Sequence, residues 1–335
     1  DGLDFAYYEK PTDHYFYFKE RLEGCRFDGI AGGLQKYVEE ILTQWVRNAV
    51  KFTGINNIVF SGGVSLNIKA SMEITKLPEV KKYFVCASGG DESIAVGACY
   101  HTVYEHCQRE GLKTEEVIKP LSNIYLGPEF DDEHIEIVIK EKWLENRYKI
   151  SRNVSSADVA KLLAEGKVIG RCCGRMEFGA RALGNRSIMA NPKIPGIVQK
   201  INEKIKNRDF WMPFTPSMLF ERTNDYLINP KNLFAPFMTL AFETTAKARE
   251  DLPGALHPAD FTARPQMVRQ GDNPGYYELI KAFEKITGIG AVLNTSFNLH
   301  GYPVVLSPVD AIHVVENSDI DGVLLNNTLI MKKDR

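Results

Sequence analysis

Residues 171–187 read R-C-C-G-R-M-E-F-G-A-R-A-L-G-N-R-S. Arg171, Arg175, Arg181 and Arg186 alternate with Gly174, Gly179 and Gly184. Arginine suits planar, bidentate recognition of phosphate and carboxylate. Glycine lets backbone N–H groups approach a ligand with no side chain in the way. A solvated surface rarely needs both, so the stretch predicts an anion pocket. Immediately upstream, Lys167–Arg171 reads as a strand, fed by a helix from Ser156 to Gly166 with its N-cap at Ser156–Asp158. Strand and helix signals alternate from there to Arg335, with more strand and shorter helices than in the first half. The pocket is therefore expected on an α/β framework.

Farther upstream the pattern is different. Residues 1–30 are aromatic and charged without clear period and read as extended or irregular. From Gly33, Leu34, Tyr37, Val38, Ile41, Leu42 and Val46 recur on one helical face, and Gly54 ends the helix. Asn57–Phe60 reads as a short buried strand leading to Ser61-Gly62-Gly63, with a helix from Val64. Tyr83–Cys86 reads as a second strand leading to Ser88-Gly89-Gly90-Asp91, with a helix from Glu92 to Arg109. In α/β layers, ligands bind beyond the carboxyl ends of strands, where these glycine turns fall. Residues 111–150 read as a connection that includes a charged helix from Asp131. Two domains are expected: 1–120 and 151–335, joined by 121–150.

Composition bounds the function. The chain has 335 residues, 44% apolar and 25% charged, with net charge −2. No basic excess supports a nucleic-acid partner. No apolar run approaches the roughly eighteen residues of a membrane span, and no signal peptide is evident. The six cysteines show no C-x-x-C spacing, so reduced thiols and a cytoplasmic location are expected.

Several segments are candidates for chemistry. S-G-G-V-S-L-N (61–67) offers Gly62 and Gly63 to a nucleotide phosphate and Asn67 to sugar or phosphate; the alternative is a tight turn that needs glycine. Beside Gly90, Asp91 is either a helix N-cap or a metal ligand. Glu177 is placed to hold an arginine. Asn185 and Ser187 complete the arginine loop. Lys206 and Arg208 add two cations ahead of an aromatic wall at Phe210, Trp211 and Phe214. Arg264 follows with hydroxyl and amide neighbours. Asn294, Thr295, Ser296 and Asn298 supply four polar side chains in five positions, more than a turn requires. His101 and His106 are not on one helical face, and no histidine pair has metal spacing.

Together, S-G-G-V-S-L-N, G-G-D-E-S-I-A-V-G-A, G-R-M-E-F-G-A-R-A-L-G-N-R-S-I, I-K-N-R-D-F-W-M-P-F-T-P-S, T-A-R-P-Q-M-V and L-N-T-S-F-N-L-H-G-Y-P-V resemble the O-carbamoyltransferase family of nodulation proteins and antibiotic-tailoring enzymes. They keep the family's order from about residue 30 onward. The resemblance implies the second lobe of an actin-like ATPase (ribonuclease H-like) domain, α/β in class. It is followed by an α+β YrdC-like domain with a twisted mixed sheet. It also implies that carbamoyl phosphate and ATP give carbamoyl adenylate with loss of pyrophosphate, and that the carbamoyl group then passes to a hydroxyl of a small-molecule or sugar acceptor. By this resemblance Arg175, Arg181, Arg186, Lys206 and Arg208 are catalytic. Gly62, Gly63, Asn67, Gly90, Glu177, Asn185, Ser187, Arg264, Asn294, Thr295, Ser296 and Asn298 bind substrates. Asp91 binds a divalent metal, iron by resemblance, with magnesium accompanying ATP. The family's first lobe, with an H-x-x-x-H metal pair, precedes Asp1, so transfer by this chain alone is expected to be poor or absent. Met212 stands where the family usually has arginine, and Ala180 where it has proline. A homodimer is the assembly to test. Related readings are tRNA threonylcarbamoylation, which the near-neutral charge disfavours, and a non-catalytic nucleotide-binding fragment.

Overall fold

A computed structural model describes residues 2–7, 10–121, 123–207 and 212–333. Its strands form two sheets. The first is a parallel pair, β1 (Asn57–Phe60) with β2 (Lys82–Val85). The second has eight strands: β3 (Tyr148–Ser151), β4 (Ile169–Cys172), β5 (Arg186–Ala190), β6 (Thr215–Leu219), β7 (Gln266–Val268), β8 (Ala291–Ser296), β9 (Gly322–Leu325) and β10 (Thr328–Lys332). Their spatial order is β3-β10-β9-β4-β5-β8-β6-β7. β4 pairs parallel with β9 and β6 with β7, and the other neighbours are antiparallel, so the sheet is mixed.

Helices cover both faces of the large sheet. On one face Val159, Ala160 and Leu163 of the helix Ser156–Ala164 share a core with Tyr276, Leu279, Ile280 and Phe283 of the helix Pro274–Thr287. On the other, Ile135, Val138 and Ile139 join Ile312 and Val315 from the helix Pro308–Glu316. The helix Ser156–Ala164 starts where its chemistry dictates. Ser155 is the N-cap and shares a capping box with Asp158, so two orphan N–H groups are satisfied reciprocally. Residues 132–151 are not a connection: the helix Asp132–Glu141, capped by Asp131, packs into this core, and β3 hydrogen-bonds to β10.

The first third also departs from expectation near its start. The helix His14–Leu22 is capped by Asp13, and the next helix runs from Phe27 to Thr53, starting earlier than Gly33. Of the expected apolar stripe only Leu42 and Val46 are fully buried. Gly54 closes that helix in the left-handed region, φ 71°. Total accessible surface is 18578 Å², against about 14,000 Å² for a compact monomer of this mass. Phe27, Phe52, Val59 and Ile94, each more than half exposed, contribute to the surplus. Parallel strands are ordinarily covered on both faces, whereas here β1 leaves Val59 75% exposed. Among the described residues no helix is long and apolar enough to cross a membrane.

A salt bridge ties the first third to the rest. Lys69 Nζ lies 2.5 Å from Asp260 Oδ2, and Asp260 also accepts from the N–H and hydroxyl of Thr262. Burial raises the Asp260 pKa, but Lys69 and Thr262 outweigh it and hold the carboxyl down at about 2. A carboxyl depressed on folding adds stability above its unfolded pKa near 4, and that stability disappears as pH falls toward 2. After discounting for the partial exposure of the pair, the loss is expected to be about 1 kcal/mol. Urea titrations at pH 5 and pH 2.5 should show this pH-dependent increment in the parent and not in Asp260→Asn; equal increments would contradict it.

Candidate functional site: the arginine loop and the glycine turns

β4 and β5 are antiparallel neighbours, so residues 173–185 form the loop between them. Glu177 organises it from within. Its Oε1 accepts from the backbone N–H of Leu183 at 2.5 Å, Arg186 at 3.2 Å and Asn185 at 3.3 Å. Burial pushes its carboxyl pKa up while these N–H groups oppose the shift. Its Oε2 is buried with no hydrogen-bond partner. Asn185 is a second hub: its Oδ1 accepts from Arg171 at 2.6 Å and Asn273 at 2.9 Å, and its Nδ2 donates to the Arg175 carbonyl. Ser187 Oγ accepts from the Gly184 N–H.

The four arginines divide by role. Arg171 donates to the Gly184 carbonyl at 2.7 Å and lies over the Tyr276 ring. Arg175 donates to the carbonyls of Tyr125 and Leu126. Arg186 is 1% exposed and donates to the carbonyls of Leu306, Cys173, Gly174, Asn185 and Pro128. These three tie the loop to its surroundings. Arg181 is different: it is half-buried, burial lowers its pKa, and its guanidinium has no ion pair or hydrogen bond among the described residues. A cation desolvated without a partner costs free energy that a bound anion returns.

Gly184 fixes the loop's return. Its φ is +110°, and a Cβ there would run into the Tyr276 ring. Gly184→Ala combines a disfavoured backbone with overpacking, so a loss of about 3 kcal/mol is expected in urea unfolding. Parent-like stability would contradict this geometry.

The loop meets the glycine turns. A Cβ on Gly179 would lie 3.3 Å from the Ala87 carbonyl oxygen and from Ser88 Cβ. One on Gly89 would collide with Ser65 Oγ and lie 3.0 Å from the Gly62 carbonyl. Thus the arginine loop, 87–90 and 62–65 form one contiguous surface. Gly62 and Gly63 are exposed there and Gly90 is half-exposed. Asn67 caps the helix Ile68–Lys76 and exchanges hydrogen bonds with Gln35, which gives it a structural task as well. Asp91 does not cap the following helix: Glu92 holds that position, and Asp91 is exposed.

Of the other candidates, Lys206, Ser296 and Asn298 come together. Lys206 Nζ contacts the Ser296 carbonyl, its hydroxyl at 3.2 Å, and both oxygens of Asn298 at 3.0 and 2.5 Å. Asn294 is buried and donates to the Ala182 carbonyl and Ser217, which supports the arginine loop from below. Thr295 and Arg264 are half-buried. Arg208, Phe210 and Trp211 lie outside the described residues, and Phe214 is core.

Sequence reasoning missed Tyr125, Gln266 as a loop support, and Asn273. Tyr125 and Gln266 both donate to the Leu183 carbonyl at 2.8 Å. Tyr125 precedes an L-G-P turn, and nothing in its local sequence marks that long-range contact.

Residues 7–100 match the carbamoyltransferase N-terminus family model and 160–332 the carbamoyltransferase C-terminus model. An uncharacterized Methanocaldococcus jannaschii protein, MJ1058, is 33% identical over 95% of this chain and 51% of its own length. The nodulation protein NolO of Bradyrhizobium diazoefficiens is 32% identical over 91% of this chain and 54% of its own. The chain thus spans about half the length of these curated relatives. Full-length HypF, solved in a phosphate- and nucleotide-bound form, overlaps 54% of this chain and 26% of its own at 20% identity and TM-score 0.39, too distant to carry an argument. With both family models matched in order, the chain belongs to the carbamoyltransferase family.

Proposed function

We propose that this chain forms carbamoyl adenylate from carbamoyl phosphate and ATP at the arginine loop, for transfer to an acceptor hydroxyl beside the glycine turns. Arg181 carries the reading, as a half-buried cation without an ion pair or hydrogen bond among the described residues, on a loop whose Arg171, Arg175 and Arg186 are each bonded to backbone carbonyls. The chemistry balances with water as co-reactant. Water cleaves carbamoyl phosphate to carbamate and phosphate. A carbamate oxygen then attacks the α-phosphorus of ATP, and pyrophosphate leaves. Attack by the acceptor hydroxyl on the carbamoyl carbon releases AMP and a proton.

In this reading Arg181 neutralises charge developing on the departing phosphates, a preorganised contact of the kind that dominates phosphoryl-transfer catalysis. Arg186, Arg175, Glu177, Asn185 and Ser187 hold the loop that presents it. Lys206 orders the 294–298 segment, with Thr295 and Arg264 on the neighbouring wall. Arg208 remains a proposed second cation. Gly62, Gly63, Asn67 and Gly90 are the proposed nucleotide contacts.

The residues described do not make up a metal centre. No three His, Cys, Asp or Glu side chains that could hold a metal ion cluster among them.

Incubating the chain with carbamoyl phosphate and ATP should release pyrophosphate only when both are present. Release no greater than with ATP alone would overturn the proposal.

A further inference from the structure

An apolar cleft of about 590 Å³ lies between the first third of the chain and the arginine-loop region. That volume suits a small organic ligand. Aromatic walls come from both sides: Phe84 and Tyr100 from one, Tyr125 and Phe237 from the other. Walls of this kind bind flat, apolar bodies.

Two of the polar lining groups carry a buried atom with no hydrogen-bond partner among the described residues. Ser88 is completely buried, and its hydroxyl has no hydrogen-bond partner among the described residues. Asp272 is half-buried, and its Oδ2 is buried with no partner. Burial pushes the Asp272 carboxyl pKa up, against the pull of Arg269. A buried polar atom left unpaired is costly, and two in one cleft call for a ligand donor. Tyr125 and Gln266, which also line the cleft, already donate to the Leu183 carbonyl. Ser88 sits in the glycine turn against which Gly179 packs, so the Ser88 side of the cleft adjoins the arginine loop.

We propose that this cleft seats the carbamoyl acceptor, an alcohol carried on an apolar ring body, with its hydroxyl directed to Asp272 and Ser88. The assignment of the occupant as acceptor rests on the carbamoyl-transfer reading above; the cleft's preference for such a ligand does not.

The probes are 2-naphthol and 2-methoxynaphthalene, which share a ring body and differ in the donor. In calorimetric titrations of the full chain, 2-naphthol should bind about 10-fold more tightly, because only it satisfies the buried carboxylate oxygen. Asp272→Leu should bring the two probes to within about 3-fold of each other. Gly97 lines the cleft, and a Cβ there meets nothing within 4 Å. Gly97→Phe therefore has room to fold while filling the space, and it should weaken both probes by more than about 10-fold. Circular dichroism melts confirm folding of each variant, and Asp272→Leu tests the proposal independently of Gly97→Phe.

Equal binding of the two probes by the parent, or undiminished binding by folded Gly97→Phe, would overturn the proposal. Pyrophosphate release measured on the same parent sample separates the two readings. Donor-selective binding without release supports the cleft and sinks the adenylation reading. Release without donor-selective binding overturns the cleft alone.

Discussion

Arg181→Ala is expected to lower carbamoyl-phosphate-dependent pyrophosphate release by about 10²- to 10³-fold, the range for removing one preorganised transition-state contact. Folding should be unaffected or slightly improved. The guanidinium is half-buried with no partner among the described residues, so its removal breaks no bond described there and relieves a desolvated charge. Arg181→Lys should restore activity only in part, because lysine keeps the charge and loses the planar, forked geometry. Pyrophosphate assays paired with urea denaturation separate these effects. Parent-like release by a folded Arg181→Ala would remove Arg181 from the chemistry.

Arg186→Met should behave in the opposite way. Its guanidinium is buried and reaches five backbone carbonyls, from Pro128 to Leu306. Methionine fills much of the volume and satisfies none of them. Stranding several buried acceptors is expected to cost about 3–5 kcal/mol of unfolding free energy. Any fall in activity should track the loss of folded protein. A stable Arg186→Met with selectively abolished pyrophosphate release would instead make Arg186 a direct substrate contact.

These two predictions mark where sequence reading reaches its limit. Composition and glycine spacing identify 171–187 as an arginine-rich pocket. They cannot say which guanidinium meets a carbonyl and which stays unpaired. That depends on Tyr125, Leu126, Pro128 and Leu306, which lie well outside the motif. The strand Asn57–Phe60 and the helix ending at Gly54 are legible because local signals agree: an apolar run bounded by turns, and glycine in the left-handed region. The helix His14–Leu22 is not legible because it buries none of its residues, so no apolar period is imprinted on it. β3 was assigned to a connection for a related reason: it is an edge strand whose partner, β10, lies near the far end of the chain.

The site shows the same division. Lys206 and Asn298 were singled out separately for polarity and charge, and the fold brings them within hydrogen-bonding distance across ninety-two residues of sequence. Asn67 was chosen as a ligand contact, and its cap to Ala70 with its exchange to Gln35 gives a sufficient structural reason for asparagine there. Asp91 reads as cap or metal ligand; the cap position falls to Glu92, and no group of three metal-ligating side chains is found among the described residues.

The most direct measurement is calorimetric titration of inorganic pyrophosphate into the parent chain and Arg181→Ala at fixed salt. Saturable binding by the parent, weakened about 10-fold or more in the variant, is the predicted result for loss of a half-buried, charge-assisted contact. Equal affinity in the two proteins would show that the unpaired guanidinium is not the anion's receptor.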